Sequence, residues 1–178
     1  MIQAFGGCNS DPDSWDVFND LIAYGTGPCV LVQNLTTFQT VSFIPLSFGI
    51  ITCVRFDSTG MLIIGTSNGN VFLLDPITKE VFSLQTFESS ITHCSVFKDD
   101  ILISTAVNGL RYIKRHFTPD NNSNLTVEQT LFPDLRCVSL NLTRFNEVLI
   151  FGLGHPDGTI QLYVPSTQSS VTLEGFAW

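Results

Sequence analysis

Residues 51–74 read ITCVRFDSTGMLIIGTSNGNVFLL. Three short apolar runs, ITCVRF, MLIIGT and VFLL, are separated by DSTG (57–60) and by Ser67-Asn68-Gly69. Asn-Gly between apolar runs is a strong hairpin signal, because both residues accept the positive φ angles of a tight turn. A fourth run, EVFSLQTF (80–87), closes the unit. These residues therefore predict four short antiparallel strands in about 40 residues.

The same order recurs downstream. ITHCSVF (91–97) is followed by ILISTAV (101–107), Asn108-Gly109, RYIKR (111–115) and LTVEQTLF (125–132). LRCVSL (135–140) is followed by the polar turn TRFNE, then VLIFGLG (148–154), Asp157-Gly158, TIQLYV and SVTLEGF (170–176). Cys53, Cys94 and Cys137 mark the first run of each unit, at spacings of 41 and 43 residues. Upstream, LIAYGTG (21–27), the turn Gly27-Pro28, CVLVQN and TVSFIP supply the second, third and fourth strands of an earlier unit. The longer step to the last unit comes from an inserted polar loop, TPDNNSN (118–124), and from GHP (154–156). No window keeps the three- and four-residue apolar spacing of a helix without a Gly, Pro or Asn in it. Four strands per 40–45 residues is the blade of a β-propeller. The expected fold is all-β: a partial β-propeller of about four four-stranded antiparallel blades, at about 1–46, 47–87, 88–132 and 133–178.

Composition narrows the function. The chain has 178 residues, 44% apolar and 11% aromatic but only 13% charged, with a net charge of −8. Disordered chains are charge-rich and poor in such residues. The acidic balance argues against direct nucleic-acid binding, which needs a basic patch. Arg111, Lys114, Arg115 and His116 form one basic cluster, read as the solvated face of a strand. The start, MIQAFGGCNSDPDSWD, has neither a basic nor an apolar leader region, so no signal peptide is expected. The most apolar stretch, Ile44 to Val54, is too short and too interrupted to span a membrane. The five cysteines include no CxxC pair, and free thiols in a reducing compartment are expected. The sequons at Asn34, Asn121, Asn124 and Asn141 are read as polar turns.

His93, His116 and His155 show no ligand spacing, so no metal site is assigned. A nucleophilic cysteine needs a paired base, yet His93 and Cys94 are adjacent and would point to opposite faces of a strand. Cys53, Cys94 and Cys137 are therefore read as buried packing residues on matching strands. Phe5-Gly6-Gly7 and Gly25-Thr26-Gly27 do not continue into a phosphate-binding loop. Gly152-Leu153-Gly154-His155 is read as a bulge or turn that needs positive φ. Asp11, Asp13, Asp16 and Asp20 lack the glycine and glutamate of a calcium loop and are read as a solvated loop. No catalytic, cofactor-binding or metal-binding residue is assigned, and no cofactor is expected.

The units resemble degenerate WD repeats, with Leu74-Asp75 in place of the usual Trp-Asp. The order of features is also similar to the N-terminal propeller part of the family of second subunits of the Elongator complex. The matching features are Gly7-Cys8-Asn9, LIAYGTGPCVLVQN, ITCVRF, a long third blade, and LEGFAW, where Phe176 replaces a histidine. The resemblance implies a non-catalytic scaffold that holds the first and third Elongator subunits for wobble-uridine modification of transfer RNA and is linked to transcription elongation. It implies a cytoplasmic protein, with the nucleus as a second compartment. Two other readings stay open. One is a WD-repeat adaptor in a ubiquitin-ligase or trafficking complex, and the other is a propeller hydrolase. Because a chain of four blades exposes its terminal faces, self-association is a further expectation. Those faces would carry Trp15, Phe18 and Tyr24 at one end and Phe151, Leu162 and Tyr163 at the other.

Overall fold

The computed structural model describes Asn9 and residues 13–107, 109–117, 123–132, 135 and 137–174; the side chains of 116, 117 and 123–132 are outside the description. The described residues contain no helix. They form four four-stranded antiparallel sheets, each a meander in chain order. This is the all-β, propeller-type architecture that the repeat predicts. The chain divides into two compact units, Met1–Thr92 and His93–Trp178.

The first unit holds two sheets. One comprises β1 (Trp15–Phe18), β2 (Leu21–Thr26), β3 (Cys29–Asn34) and β4 (Thr40–Pro45). The other comprises β5 (Ile51–Phe56), β6 (Leu62–Thr66), β7 (Asn70–Leu74) and β8 (Val81–Thr86). Between them lies a core of Ala23, Val30, Val32, Ile44, Ile51, Val54, Phe56, Leu62, Ile64, Phe72 and Leu74, with Phe18 and Leu21 packed on its margin. Every residue of β6 is buried. That explains why its sequence is a continuous apolar run and not an alternating one. The outermost strand β8 is mostly exposed or half-buried, and its sequence is correspondingly mixed.

The second unit holds β9 (Ile91–Phe97, whose first two residues belong to the first unit), β10 (Asp100–Thr105), β11 (Gly109–Phe117) and β12 (Ser123–Phe132) in one sheet. Its other sheet comprises β13 (Ser139–Phe145), β14 (Val148–Gly154), β15 (Ile160–Val164) and β16 (Ser169–Leu173). Leu102, Leu110, Tyr112, Leu142, Phe151, Leu153 and Tyr163 form the core between them. The Tyr112 and Phe151 rings lie 5.7 Å apart, and those of Phe151 and Tyr163 lie 6.0 Å apart. Such tilted pairs add to simple burial.

Turn chemistry sets the register. Gly69 (φ +81°) and Gly158 (φ +85°) occupy the turns that the Asn-Gly and Asp-Gly pairs predict. In the first-strand hairpins Asn19, Lys98, Asn146 and Glu147 take positive φ. Each of these follows a phenylalanine, Phe18, Phe97 or Phe145, that ends the strand, apart from Glu147, the second residue of its turn. A second device recurs between the third and fourth strands. The Asn34 Oδ1 accepts the Thr36 and Thr37 amides at 3.0 and 2.8 Å. The Asp75 Oδ1 does the same for Ile77 and Thr78 at 2.7 and 3.1 Å. Each turn then leaves through a left-handed residue, Phe38 or Lys79, and Gln168 occupies the same place before β16.

Several sequence expectations are corrected. Cys53 and Cys94 lie on first strands, but Cys137 precedes β13. Leu142 stands three residues before Phe145, as Cys53 does before Phe56 and Cys94 before Phe97, and it is buried. The segment TRFNE is not all turn: Thr143–Phe145 finish β13, and only Asn146-Glu147 turn. Asn141 is mid-strand, opposite Gly152, and Asn124 is on β12, so these sequons do not mark turns. Of the TPDNNSN loop, 118–122 lie outside the described residues, and Ser123 and Asn124 begin β12.

Candidate interaction surface

The side chains with chemical potential are used by the fold. In the first unit, the Asn9 side chain donates to the carbonyls of Gly27 (3.2 Å) and Ile51 (2.8 Å) and accepts the Gly27 amide at 2.7 Å. Its backbone amide donates to the Gly25 carbonyl at 2.9 Å. One asparagine thus ties the first sheet to the start of the second. Asp13 forms an ion pair with Arg55 on β5, whose guanidinium also donates to the Trp15 carbonyl at 3.1 Å. The Asp16 carboxylate accepts the Phe56 amide at 2.8 Å. Asp13 and Asp16 are therefore bracing groups and not a solvated loop; Asp11 lies outside the described residues.

The second unit repeats the device. Arg144 donates to Asp100 Oδ2 at 2.8 Å. The Tyr112 hydroxyl donates to Asp100 Oδ1 at 2.5 Å. Asp100 is only 2% exposed. A buried carboxylate needs such partners, since desolvation would otherwise disfavour its charge. The hydrogen bond to Asp100 in turn holds the Arg144 pKa above its ordinary value. In both units an Arg-Phe pair ends the first strand of the second sheet, and the arginine grips an aspartate associated with the first.

The remaining candidates separate. Arg115 is buried, Arg111 and Lys114 are half-buried, and Arg115 lies 3.7 Å from Asp99. The cluster is therefore not a solvated strand face, and strand alternation sends Lys114 to the face opposite Arg111 and Arg115. His93 is on β9, and His116 pairs with Asn124 across β11 and β12. His155 is in a turn, donating its amide to the Thr159 carbonyl at 2.9 Å. Among the described residues no group of His, Cys, Asp or Glu is placed to share a metal ion. Gly152 and Gly154 are strand residues and do not have positive φ, contrary to the turn reading. Gly25 is a site of close approach: a Cβ there would meet Ile51 at 2.7 Å.

The Asp75 and Asp157 turns hold their carboxyls below the usual range. At Asp75 burial pushes upward, and the hydrogen bonds from Ile77 and Thr78 outweigh it. At exposed Asp157 the Thr159 amide is the first cause, followed by the Thr159 hydroxyl.

What the surface offers is apolar. A groove of about 340 Å³ in the first unit is lined by Phe18, Leu21, Met61, Pro76 and Ile77, with Asp75 at its side. Ile77 is 67% exposed. Trp15, Val17 and Phe43 are exposed on the first sheet, and Ile160, Leu162, Val171 and Leu173 on the fourth. The expected terminal faces are corrected here. Phe151 and Tyr163 are core residues, Phe18 packs on Phe56 at 5.6 Å, and only Trp15 and Leu162 of the six are exposed, with Tyr24 half-buried. The sequence marked none of the bracing residues as such. The recurrence of Arg55-Phe56 and Arg144-Phe145 was the signal that could have found them.

Cys29 is half-buried, whereas Cys53, Cys94 and Cys137 are buried, and all four are free thiols. A thiol reagent applied to the native chain should therefore label Cys29 well before the other three. Equal rates at Cys29 and Cys53, followed by peptide mapping, would contradict this packing.

No family model matches the chain, and no curated protein sequence matches it. Solved structures do. A chain in the crystal structure of the mitotic checkpoint complex superposes with a TM-score of 0.67 at 14% identity, covering 93% of this chain and 52% of that one. The computationally designed Ika8 protein gives 0.63 at 14% identity, covering 91% of this chain and 48% of that one. The designed Ika4 protein gives 0.64 at 15% identity, covering 92% of this chain and 99% of that one. The chain thus spans about half the length of the first and second of these. At such identities the likeness shows the fold alone, and a fold shared this widely does not select a function.

Proposed function

We propose that this chain is a non-catalytic scaffold of the WD-repeat kind that holds other protein subunits. The observation that carries the reading is the use of its aspartates. Asp13, Asp16, Asp57, Asp75, Asp100 and Asp157 all brace turns or sheet-to-sheet contacts. A hydrolase would instead need carboxylates converging on an accessible substrate position. Apolar surface of the kind found here is what protein partners bury.

The finer reading is an Elongator-type role, with the first and third Elongator subunits as partners, in the cytoplasm and also the nucleus. Its support is the order of sequence features from Gly7-Cys8-Asn9 to LEGFAW, and the bracing use of Asn9. The chemistry of transfer RNA modification would then reside in a partner. Affinity purification from the native cell with mass spectrometry tests this. Recovery of the first and third Elongator subunits is the expected result. Recovery of ubiquitin-ligase or trafficking components in their place would overturn the finer reading and keep the scaffold.

A further inference from the structure

We propose that the face of the fourth sheet turned away from the third is a docking surface for a second copy of this chain, received through the outer face of that copy's first sheet. The proposal rests on the scaffold reading and names one partner for it.

The register defines the first surface. Ser139, Gly154, Ile160 and Leu173 stand opposite one another across β13 to β16, and so do Asn141, Gly152, Leu162 and Val171. The other face of this sheet carries Leu142, Phe151, Leu153 and Tyr163 and is buried in the core. The first unit supplies the comparison. There the face of the second sheet turned away from the first carries Ile63, Val71 and Leu73, which are 0%, 1% and 3% exposed. The third-strand residues Ile160 and Leu162 hold the corresponding place in the fourth sheet and are 47% and 38% exposed. A position that is covered in one unit is thus open in the other, with its aliphatic character kept.

The chemistry of the surface selects the occupant. The chain has 8 basic and 16 acidic residues. None of them stands in those two rows. A solvated sheet face normally carries polar and charged side chains between its apolar ones. Gly152 leaves the middle of the face flat, whereas the space beside Gly154 is filled by the Ser139 hydroxyl. A partner that leaves no charge stranded there must present an uncharged surface to it. The outer face of the first sheet meets that condition. Its rows are Trp15, Tyr24, Leu31 and Phe43, and Val17, Ile22, Gln33 and Thr40, again without a charge, with Leu31 itself buried and the residues around it exposed or half-buried. Trp15, Val17 and Phe43 are 49%, 42% and 39% exposed. Two copies of a chain with net charge −8 repel each other. They can approach most cheaply where both surfaces are uncharged. The contact is heterologous, one face meeting a different face of the neighbour.

Sedimentation velocity on the full chain at tens of micromolar tests the proposal. The wild type should sediment as a dimer or larger species. Leu162→Lys and Trp15→Glu, both at exposed positions, should each give monomers with unchanged circular dichroism. An equimolar mixture of the two variants should associate again, because each retains one intact face. A monomeric wild type, or association unaffected by both variants, would overturn the proposal. Loss with Leu162→Lys but not with Trp15→Glu would overturn the assignment of the first sheet, leaving like faces of the fourth sheet in contact. These readouts use the isolated chain, so they are independent of whether other subunits are recovered from cells.

Discussion

Gly65→Ala should destabilise the chain by about 2–3 kcal/mol in a urea titration, and Gly65→Val by more. A Cβ at Gly65 would sit 2.5 Å from both the Cys53 Sγ and the Ile91 Cγ2. Neither neighbour can retreat, because both are buried and β6 is buried along its whole length. The strain is steric and not conformational, since Gly65 does not have positive φ. Its partner test is a double-mutant cycle. Cys53→Ala removes one of the two clashing atoms, so the double variant should be more stable than the sum of the single losses predicts, by more than about 0.5 kcal/mol. Strict additivity would mean that the strand had moved and the clash was never made.

Asp100→Ala should cost about 2–3 kcal/mol. Breaking a fully buried ion pair costs roughly 3–5 kcal/mol. The Arg144 side chain keeps 31% of its exposure, so water recovers part of that loss. The Tyr112 hydroxyl would lose its acceptor in a site where the ring itself is only 8% exposed. Tyr112→Phe in the Asp100→Ala background removes the orphaned hydroxyl and should recover part of the loss. An Asp100→Ala variant as stable as the wild type would show that the triad is not formed in solution.

The sequence revealed the strands because a tight turn demands particular residues. Asn68-Gly69 and Asp157-Gly158 announced their hairpins, and period-two and continuous apolar runs marked the strands between them. It misplaced Cys137 because residue identity at a regular spacing stood in for register. It misread Asp13, Asp16, Arg111 and Arg115 because a charged residue looks solvated until its partner is known. Arg55 lies 42 residues from Asp13 and Arg144 lies 44 from Asp100, so each pair spans a full repeat. Such contacts exist only once two sheets are stacked. For the same reason Phe151 and Tyr163 read as surface: a strand's sequence shows that one face is apolar, not which neighbour covers it.

The chain-order meander also bears on how the protein comes off the ribosome. Each sheet is built from one contiguous stretch, and neighbouring strands within a sheet are joined by short connections. Little entropy is lost in closing such loops, which favours early formation of each sheet. Gly65 makes an exception. The side chain that fills its hollow, Ile91, is translated only after the second sheet's last strand. Until then the hollow at Gly65 in a finished-looking sheet is unfilled. Synthesis therefore passes through an interval in which the nascent sheet carries an unfilled hollow, and a pause in translation before Ile91 has left the ribosome would prolong it.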